Sequence, residues 1–458
     1  MTSKLEKFKN GVKSRKVTVI GIGISNMPLI KYLVELGAEV TACDKRDRDD
    51  LGENYTELEK LGVKFRLGEG YLNNLSGDII FKTPGMRFDV PELIAAKEKG
   101  SVVTSEMEVF FDICPSHIIA VTGSDGKTTT TTLIHKMMTR AGYKTWLGGN
   151  IGNPLLTDAE KMKADDWVIL ELSSFQLHTM RKSPEIAVIT NISPNHLDMH
   201  KDYQEYIDAK KNIMLYQNME NVLVVNLDNE VTAEIGKEAN GTVRYFSRQK
   251  TADVHLDGEN IKRGSDIVLN IHDIKIPGMH NVENYMTAIA VVEGLVDDAV
   301  ITDVAKSFGG VEHRIELVRM VDGVSYYNSS IDSSPNRTIN TLRVFPEKVI
   351  MIGGGKDKGI PYDEIGPSIA EHVKVLILIG PTADKIQDAL DAEIKKTGNG
   401  KDIEVIRVSS YEDAVNTAKS RAVEGDTVIL TPASTSFDMF RNFEERGNLF
   451  KKLVNELK

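Results

Sequence analysis

The chain has 458 residues, 41% of them hydrophobic and 27% charged, and carries 56 Lys and Arg against 67 Asp and Glu, a formal charge of −11. That length exceeds one compact domain and predicts about three, at roughly 150 residues each, while the composition excludes a chain that is disordered throughout. The acidic balance is wrong for gripping a phosphate backbone, so no nucleic-acid partner is expected, although pockets for small phosphorylated ligands stay open.

The N-terminus, MTSKLEKFKN, has no apolar signal core, and no stretch reaches the roughly 20 apolar residues of a membrane span. From there a rhythm of β-branched run, Gly-rich or polar turn and helical pattern predicts an α/β protein with largely parallel sheets. Its first unit is Val17–Ile20, the turn Gly21-Ile-Gly-Ile-Ser-Asn26 and an apolar-periodic helix to about Leu36. A second strand runs from Glu39 to Cys43 and ends at Asp44, with further strands expected at Asp78–Lys82 and Ser101–Thr104. The two cysteines, Cys43 and Cys114, lack CxxC spacing and fit a reducing compartment, so a cytoplasmic location is expected. A new block opens at His117–Val121, followed by strands at Trp167–Leu172 and Ile186–Asn191. Residues 221–276 turn strand-rich, and a helix follows Pro277-Gly-Met-His-Asn281. Gly309-Gly310 reads as a hinge into a third block, with strands at Val349–Ile352, Val373–Ile379, Glu404–Val408 and Thr427–Leu430. The expected domains are therefore 1–112, 113–312 and 313–458.

The most specific motif is Thr122-Gly-Ser-Asp-Gly-Lys-Thr-Thr-Thr130, placed between a strand and a helix. Glycines at 123 and 126 let backbone N–H groups approach phosphate oxygens, and the helix N-terminus adds positive potential. Lys127 can reach the outer phosphates and the Thr128 hydroxyl can ligate Mg²⁺. The position where the longer phosphate-loop pattern has its first Gly is Val121, so this is the shorter GxxGKT form of an ATP site. Glu171 ends the strand WVILE, on the rim where open parallel sheets bind ligands, and is a hard oxygen donor for Mg²⁺. His196, after the next strand, falls on the same rim. Lys210, fourteen residues further on, has no distinguishing feature of its own.

Together these residues resemble the Mur ligases of peptidoglycan synthesis, ATP-dependent amino-acid-adding enzymes. The likeness runs in order through GSDGKTTT, LELSSFQL, ITNISPNHLDMH, YIDAK, IPGMHNVENYMTAIA, VEHRIE, GGKDKG and TPASTSFDMFRNFEERGNLF, essentially the whole chain. GIGISN, the strand ending at Asp44, Thr83-Pro84-Gly85 and FDMFRNFEERG resemble the branch that joins D-glutamate to UDP-N-acetylmuramoyl-L-alanine. The resemblance implies a Rossmann-like N-terminal domain binding the UDP substrate, a central P-loop ATPase-type parallel sheet with a strand-rich insertion, and a Rossmann-like C-terminal domain that binds the amino acid and closes over ATP. It implies ATP, two Mg²⁺ ions and a monomer acting on small molecules. Carried over, Gly123, Ser124, Asp125, Gly126, Lys127, Thr128 and Thr129 serve the nucleotide, with Asn281, Asn284, Arg314 and Arg337. Thr128, Glu171, His196 and a carbamylated Lys210 hold metal; Lys127, His196 and Lys210 form the catalytic set. Ser25, Asp44, Lys45, Thr83, Pro84, Gly85, Asn150 and Ser173 match positions for the UDP-linked substrate, and Lys358, Ser436 and Phe443 those for the amino acid.

The GxGxxN turn on its own also suits a dinucleotide, with Asp44 lying 23 residues after Gly21 and Asn26 standing where the third Gly belongs. The resemblance favours uridine diphosphate. The main departure is Tyr327-Asn-Ser-Ser-Ile-Asp-Ser-Ser-Pro-Asn-Arg337: family members with Asn-Asp-Ser-Lys have Asp and Lys where this chain has Ser329 and Ile331. Asp332 and Arg337 are expected to supply those charges. Milder departures are Asn195, where an Asp often stands, and Ser434, where a Cys is common. The alternatives are another amino-acid ligase of the same family, or an inactive nucleotide-binding paralogue.

Overall fold

The structure, a computed structural model, describes residues 3–23, 26–152, 154–194 and 199–458. It falls into two compact units, residues 1–273 with 279–306, and residues 307–458 with 274–278.

The first unit holds two sheets. The N-terminal one consists of β1 (Lys16–Ile20), β2 (Glu39–Asp44), β3 (Lys64–Leu67), β4 (Ile79–Phe81) and β5 (Val102–Thr104), ordered β3-β2-β1-β4-β5 with every pairing parallel. Buried β-branched runs such as Val17-Thr-Val-Ile20 suit strands covered on both faces. The chain reverses its direction of travel across the sheet between β1 and β4, so the turns after these strands border a crevice.

The second sheet consists of β6 (His117–Thr122), β7 (Thr145–Gly149), β8 (Trp167–Glu171), β9 (Ile186–Ile189), β10 (Val222–Asn226), β11 (Thr242–Ser247), β12 (Val254–Asp257), β13 (Asn260–Arg263) and β14 (Asp266–Asn270). Its order is β14-β13-β12-β11-β10-β9-β6-β8-β7, parallel from β7 to β12 and antiparallel through β13 and β14. The strand-rich stretch after residue 221 thus lengthens the central sheet itself, with a helix, Glu230–Lys237, between its first two strands. β6 lies between β8 and β9, which puts the loop after it at this sheet's own reversal point.

One apolar core joins the two sheets, running from Val12, Leu33 and Phe110 to Leu156, Val168 and Leu223. The seam is made by helices Asn26–Glu35 and Glu106–Ile113 against the 3₁₀ turn Leu156–Lys161. Polar ties line it: Tyr32 Oη donates to Glu160 Oε1 at 2.8 Å, and the Leu156 N–H donates to Glu106 Oε1 at 3.0 Å.

The second unit is a six-stranded sheet of β15 (Glu316–Val321), β16 (Val324–Asn328), β17 (Val349–Gly353), β18 (Val373–Leu378), β19 (Glu404–Arg407) and β20 (Thr427–Leu430), ordered β15-β16-β20-β17-β18-β19. β15 and β16 form an antiparallel hairpin; the other pairings are parallel. Asp322 and Gly323, at φ 50° and 75°, supply the left-handed pair that a tight two-residue hairpin needs. Apolar clusters cover both faces, one including Met351, Leu376 and Ile429, the other Ile350, Ile377 and Phe450.

Candidate active site

The phosphate loop leaves β6 at Thr122 and enters the helix Lys127–Arg140 at Gly126. Gly123 has φ 148°, and a Cβ there would sit 1.9 Å from Thr190 Oγ1; Gly126 has φ 77°, and a Cβ would sit 2.4 Å from Asn284 Oδ1. Neither position accepts a larger residue without moving its neighbour. The N–H groups of Ser124 and Asp125 donate to the carbonyl and side chain of Asn191, both at 2.9 Å, and so fix the loop's path. Thr190 Oγ1 donates to the Asp125 carbonyl at 2.6 Å. Lys127 Nζ curls over the loop to the carbonyls of Gly123 and Ser124, at 3.0 and 2.9 Å. Thr129 lies half-buried in the first helical turn, whose positive end favours anions.

Beside the loop, Glu171 is 2% exposed and accepts from Thr128 Oγ1 at 2.7 Å and from Asn150 Nδ2 at 2.8 Å. Two hard oxygens, a carboxylate and a hydroxyl, thereby meet next to the phosphate cradle, a donor set suited to Mg²⁺. Ser173 caps the short helix Ser174–Leu177 through a reciprocal pair with Gln176.

Lys210 lies on the helix Tyr203–Lys211, 2% exposed, with Nζ donating to the Gly123 carbonyl at 2.7 Å and 4.6 Å from the centre of the Tyr206 ring. Burial, then the nearby Lys127 cation, holds its amine well below the ordinary lysine range. Asn284 accepts from Thr130 Oγ1 at 3.3 Å and donates to Asn281 Oδ1 at 3.1 Å; both asparagines are buried on the helix Met279–Val291. The structure therefore gathers residues 123–130, Asn150, Glu171, Lys210 and Asn284 around one loop. Ser25 and His196 lie outside the described residues.

In the N-terminal crevice, Asn26 donates through Nδ2 to the carbonyls of Ile20 and Gly21, at 2.9 and 3.0 Å. This side chain ties the helix to the strand end, where a third glycine would only permit close packing. Asp44 accepts from the Ile22 N–H at 2.7 Å and, on its two oxygens, from Arg46 Nε and Nη2 at 3.0 and 2.9 Å. Burial raises this carboxyl, but the bonds from Arg46 and Ile22 outweigh it and bring it down to about 2. Thr83 faces Gly21 across the crevice, its Cβ 3.1 Å from where a Gly21 Cβ would stand, with Pro84 half-buried and Gly85 and Lys45 exposed.

In the second unit, Lys358 Nζ donates to Ser333 Oγ at 3.3 Å, Ser436 is buried, and Phe443 opens the helix Phe443–Glu456 with its ring 6.0 Å from His313. Arg446, fully buried, stitches the turns after β16 and β20 together: Nε and Nη2 donate to Ser330 Oγ and O at 2.9 and 2.8 Å, and Nη1 donates to the Ser434 carbonyl at 3.0 Å. Asp332 is also buried, accepting from Thr341 and Thr431 hydroxyls at 2.7 and 2.9 Å. Arg314 and Arg337 are exposed, and Arg337 Nη1 donates to the Ile331 carbonyl at 3.0 Å.

Sequence reasoning overlooked Arg46, Asn191, Thr190 and Arg446, which shape loops through contacts distant in sequence. Arg46, next to Lys45, and Thr190 and Asn191, closing the expected strand Ile186–Asn191, each left a positional signal at a strand end; Arg446 left none.

Parallel sheets ending in a phosphate cradle with a carboxylate–hydroxyl pair beside it define a nucleotide-using α/β enzyme scaffold. Family models for the Mur ligase MurD-like N-terminal domain, the Mur ligase middle domain and the Mur ligase glutamate ligase domain match residues 15–105, 121–292 and 313–434, and the chain belongs to the Mur ligase family. It is 56% identical to the UDP-N-acetylmuramoylalanine--D-glutamate ligase of Acetivibrio thermocellus, with 100% of both chains covered. It is 54% identical to the protein of the same name from Ruminiclostridium cellulolyticum, again over 100% of both. Among solved structures, the UDP-N-acetylmuramate-alanine ligase MurC of Thermotoga maritima shares the fold, with a TM-score of 0.59 and 18% identity over 97% of this chain and 100% of that one.

Proposed function

We propose that the protein is an ATP-dependent ligase that joins D-glutamate to UDP-N-acetylmuramoyl-L-alanine in peptidoglycan precursor synthesis. The full-length relatives at 54–56% identity carry that name, and the cradle of Gly123, Lys127, Thr128 and Glu171 carries the reading physically. A carboxylate is a poor electrophile. Transfer of the γ-phosphoryl group to an alanyl carboxylate oxygen releases ADP and creates a leaving group. The D-glutamate amine then attacks the acyl carbon, loses a proton and expels inorganic phosphate.

In this reading Lys127 and the first turn of its helix stabilise charge on the transferring phosphoryl group. Thr128 and Glu171 hold one Mg²⁺; His196 and a carbamylated Lys210 hold a second. Mg²⁺, when bound, neutralises phosphate charge. Lys210 suits carbamylation because burial disfavours the charged form of its amine; the nitrogen of the unprotonated amine bonds to CO₂, a proton departs, and the side chain becomes an anionic oxygen donor. Asn281, Asn284, Arg314 and Arg337 serve the nucleotide, with Asp332 bracing the turn that carries Ser329. Asp44, Lys45, Thr83, Pro84 and Gly85 hold the UDP moiety, Asn150 and Ser173 the muramoyl end, and Lys358, Ser436 and Phe443 the D-glutamate. We assign these roles to domains 1–112, 113–312 and 313–458, in a monomer of the cytoplasm. Among the described residues no helix is long and apolar enough to cross a membrane.

The test is phosphate release from ATP and Mg²⁺ with UDP-N-acetylmuramoyl-L-alanine, comparing D-glutamate with L-glutamate, L-alanine and L-lysine. Release with D-glutamate alone, with the matching product mass, is expected. Release with another amino acid would reassign the pocket, and none from folded, ATP-binding protein would point to an inactive paralogue.

A further inference from the structure

Two residues beyond the Thr83–Gly85 turn, Arg87 engages two carboxylates at once. Nε and Nη2 donate to Asp89 Oδ1 and Oδ2, both at 2.8 Å. Nη1 and Nη2 donate to Glu205 Oε2 and Oε1, both at 2.9 Å, and Nη1 also reaches the Met199 carbonyl at 2.8 Å. Asp89 belongs to Arg87's own segment. Glu205 belongs to the helix Tyr203–Lys211 of the central layer, where its Oε2 also accepts from the Lys201 N–H at 2.7 Å.

That helix ends at the phosphate loop. Tyr206, next to Glu205, places its hydroxyl 3.0 Å from Ser124 Oγ, and Lys210, one turn on, donates to Gly123 O at 2.7 Å. An unbroken series of bonds therefore leads from the Thr83–Gly85 segment through Arg87, Glu205 and a single helix to the Gly123 carbonyl and the Ser124 hydroxyl of the phosphate loop. A fork-to-fork guanidinium–carboxylate pair fixes orientation as well as distance, which a lysine at the same place would not. Both partners are largely shielded, with side-chain exposures of 25% and 15%, so solvent screens the pair less than a surface bridge.

We propose that Arg87 is a positioning residue that couples the Thr83–Gly85 turn to the phosphate loop, so that the UDP-linked substrate and the nucleotide each bind more tightly in the other's presence. The proposal rests on the function proposed above, which places those two ligands at the two ends of the series.

The test is calorimetric titration of UDP-N-acetylmuramoyl-L-alanine into the full chain, with and without Mg²⁺ and a non-hydrolysable ATP analogue. Wild type should bind about tenfold more tightly with nucleotide present. Arg87→Gln and Glu205→Gln should each cut that factor to about twofold or less, and the double variant no further, since both remove one link. Arg87→Lys, which keeps the charge without the fork, should fall between. Thermal unfolding identifies a variant that does not fold, and the remaining ones then decide. A merely structural Arg87 would lower the melting temperature and leave the coupling factor at its wild-type value, which would overturn the proposal. So would additive losses, or a wild type whose affinity ignores nucleotide. A wild type that fails to bind the UDP substrate at all would instead overturn the proposed function.

Discussion

Lys210 puts an amine where its charge is disfavoured, and the sign of the consequence can be worked out. Its pKa is lowered in the folded state, so the unfolded chain binds the extra proton, and this residue's contribution makes stability rise with pH up to the ordinary lysine range. Removing the amine should therefore cost little stability. We expect Lys210→Met to unfold at or above the wild-type temperature at pH 7 while kcat falls by about a hundredfold or more, as for loss of a group that organises charge at a reacting centre. A large drop in melting temperature with activity intact would contradict both halves. In sequence Lys210 is an ordinary helical lysine, and only resemblance singled it out. Its isolation from water comes from Tyr206 and from a loop more than 80 residues earlier, which no local pattern reveals. Glu171 is the contrasting case: as a carboxylate ending an apolar strand, it could be placed on the sheet's C-terminal rim by position alone, and the structure sets it there beside Thr128.

At the scale of elements, most interior strands were legible, but β16, Val-Ser-Tyr-Tyr-Asn, was not expected although it lies between β15 and β20, and some edges were missed as well. Apolar β-branched runs such as Val17–Ile20 and Ile186–Ile189 identify strands covered on both faces. β3, Lys-Phe-Arg-Leu, and β7, Thr-Trp-Leu-Gly-Gly, sit at sheet edges, where polar residues and glycine are tolerated, and the sequence carries no such run there. The seam between the first two sheets was also invisible, because helix Glu106–Ile113 shows no sign of its partner 50 residues away. Glu106 makes the seam sensitive to pH. Burial pushes its carboxyl up to about 7, so the folded state loses stability as pH rises from about 4.5 through 7. Glu106→Gln keeps an acceptor for the Leu156 N–H and should stabilise the protein by about 1–2 kcal/mol at pH 8. Melting curves at pH 5 and pH 8 check this: the gain should shrink towards zero at the lower pH.

At the scale of the molecule, the second unit has its own sheet and its own apolar clusters on both faces, drawn from described residues between Ile315 and Leu457. Residues 307–458 expressed alone should therefore unfold in a single cooperative transition, read by circular dichroism against temperature. A fragment without a transition would show that its stability depends on the rest of the chain. The three-block α/β organisation was readable from the strand–turn–helix rhythm. That the first two blocks share one core was not, since long-range packing leaves no trace in periodicity.

That shared core sets the rules for exchanging parts with relatives. A chimera cut near residue 312 swaps a module whose interior travels with it. A cut near residue 112 parts Phe110 and Leu33 from Leu156 and Val168, leaving two apolar faces that were shaped for each other. Recombination, in the laboratory or over generations, can replace the C-terminal unit as a finished piece, whereas a new N-terminal sheet must arrive with a matching face on the central one.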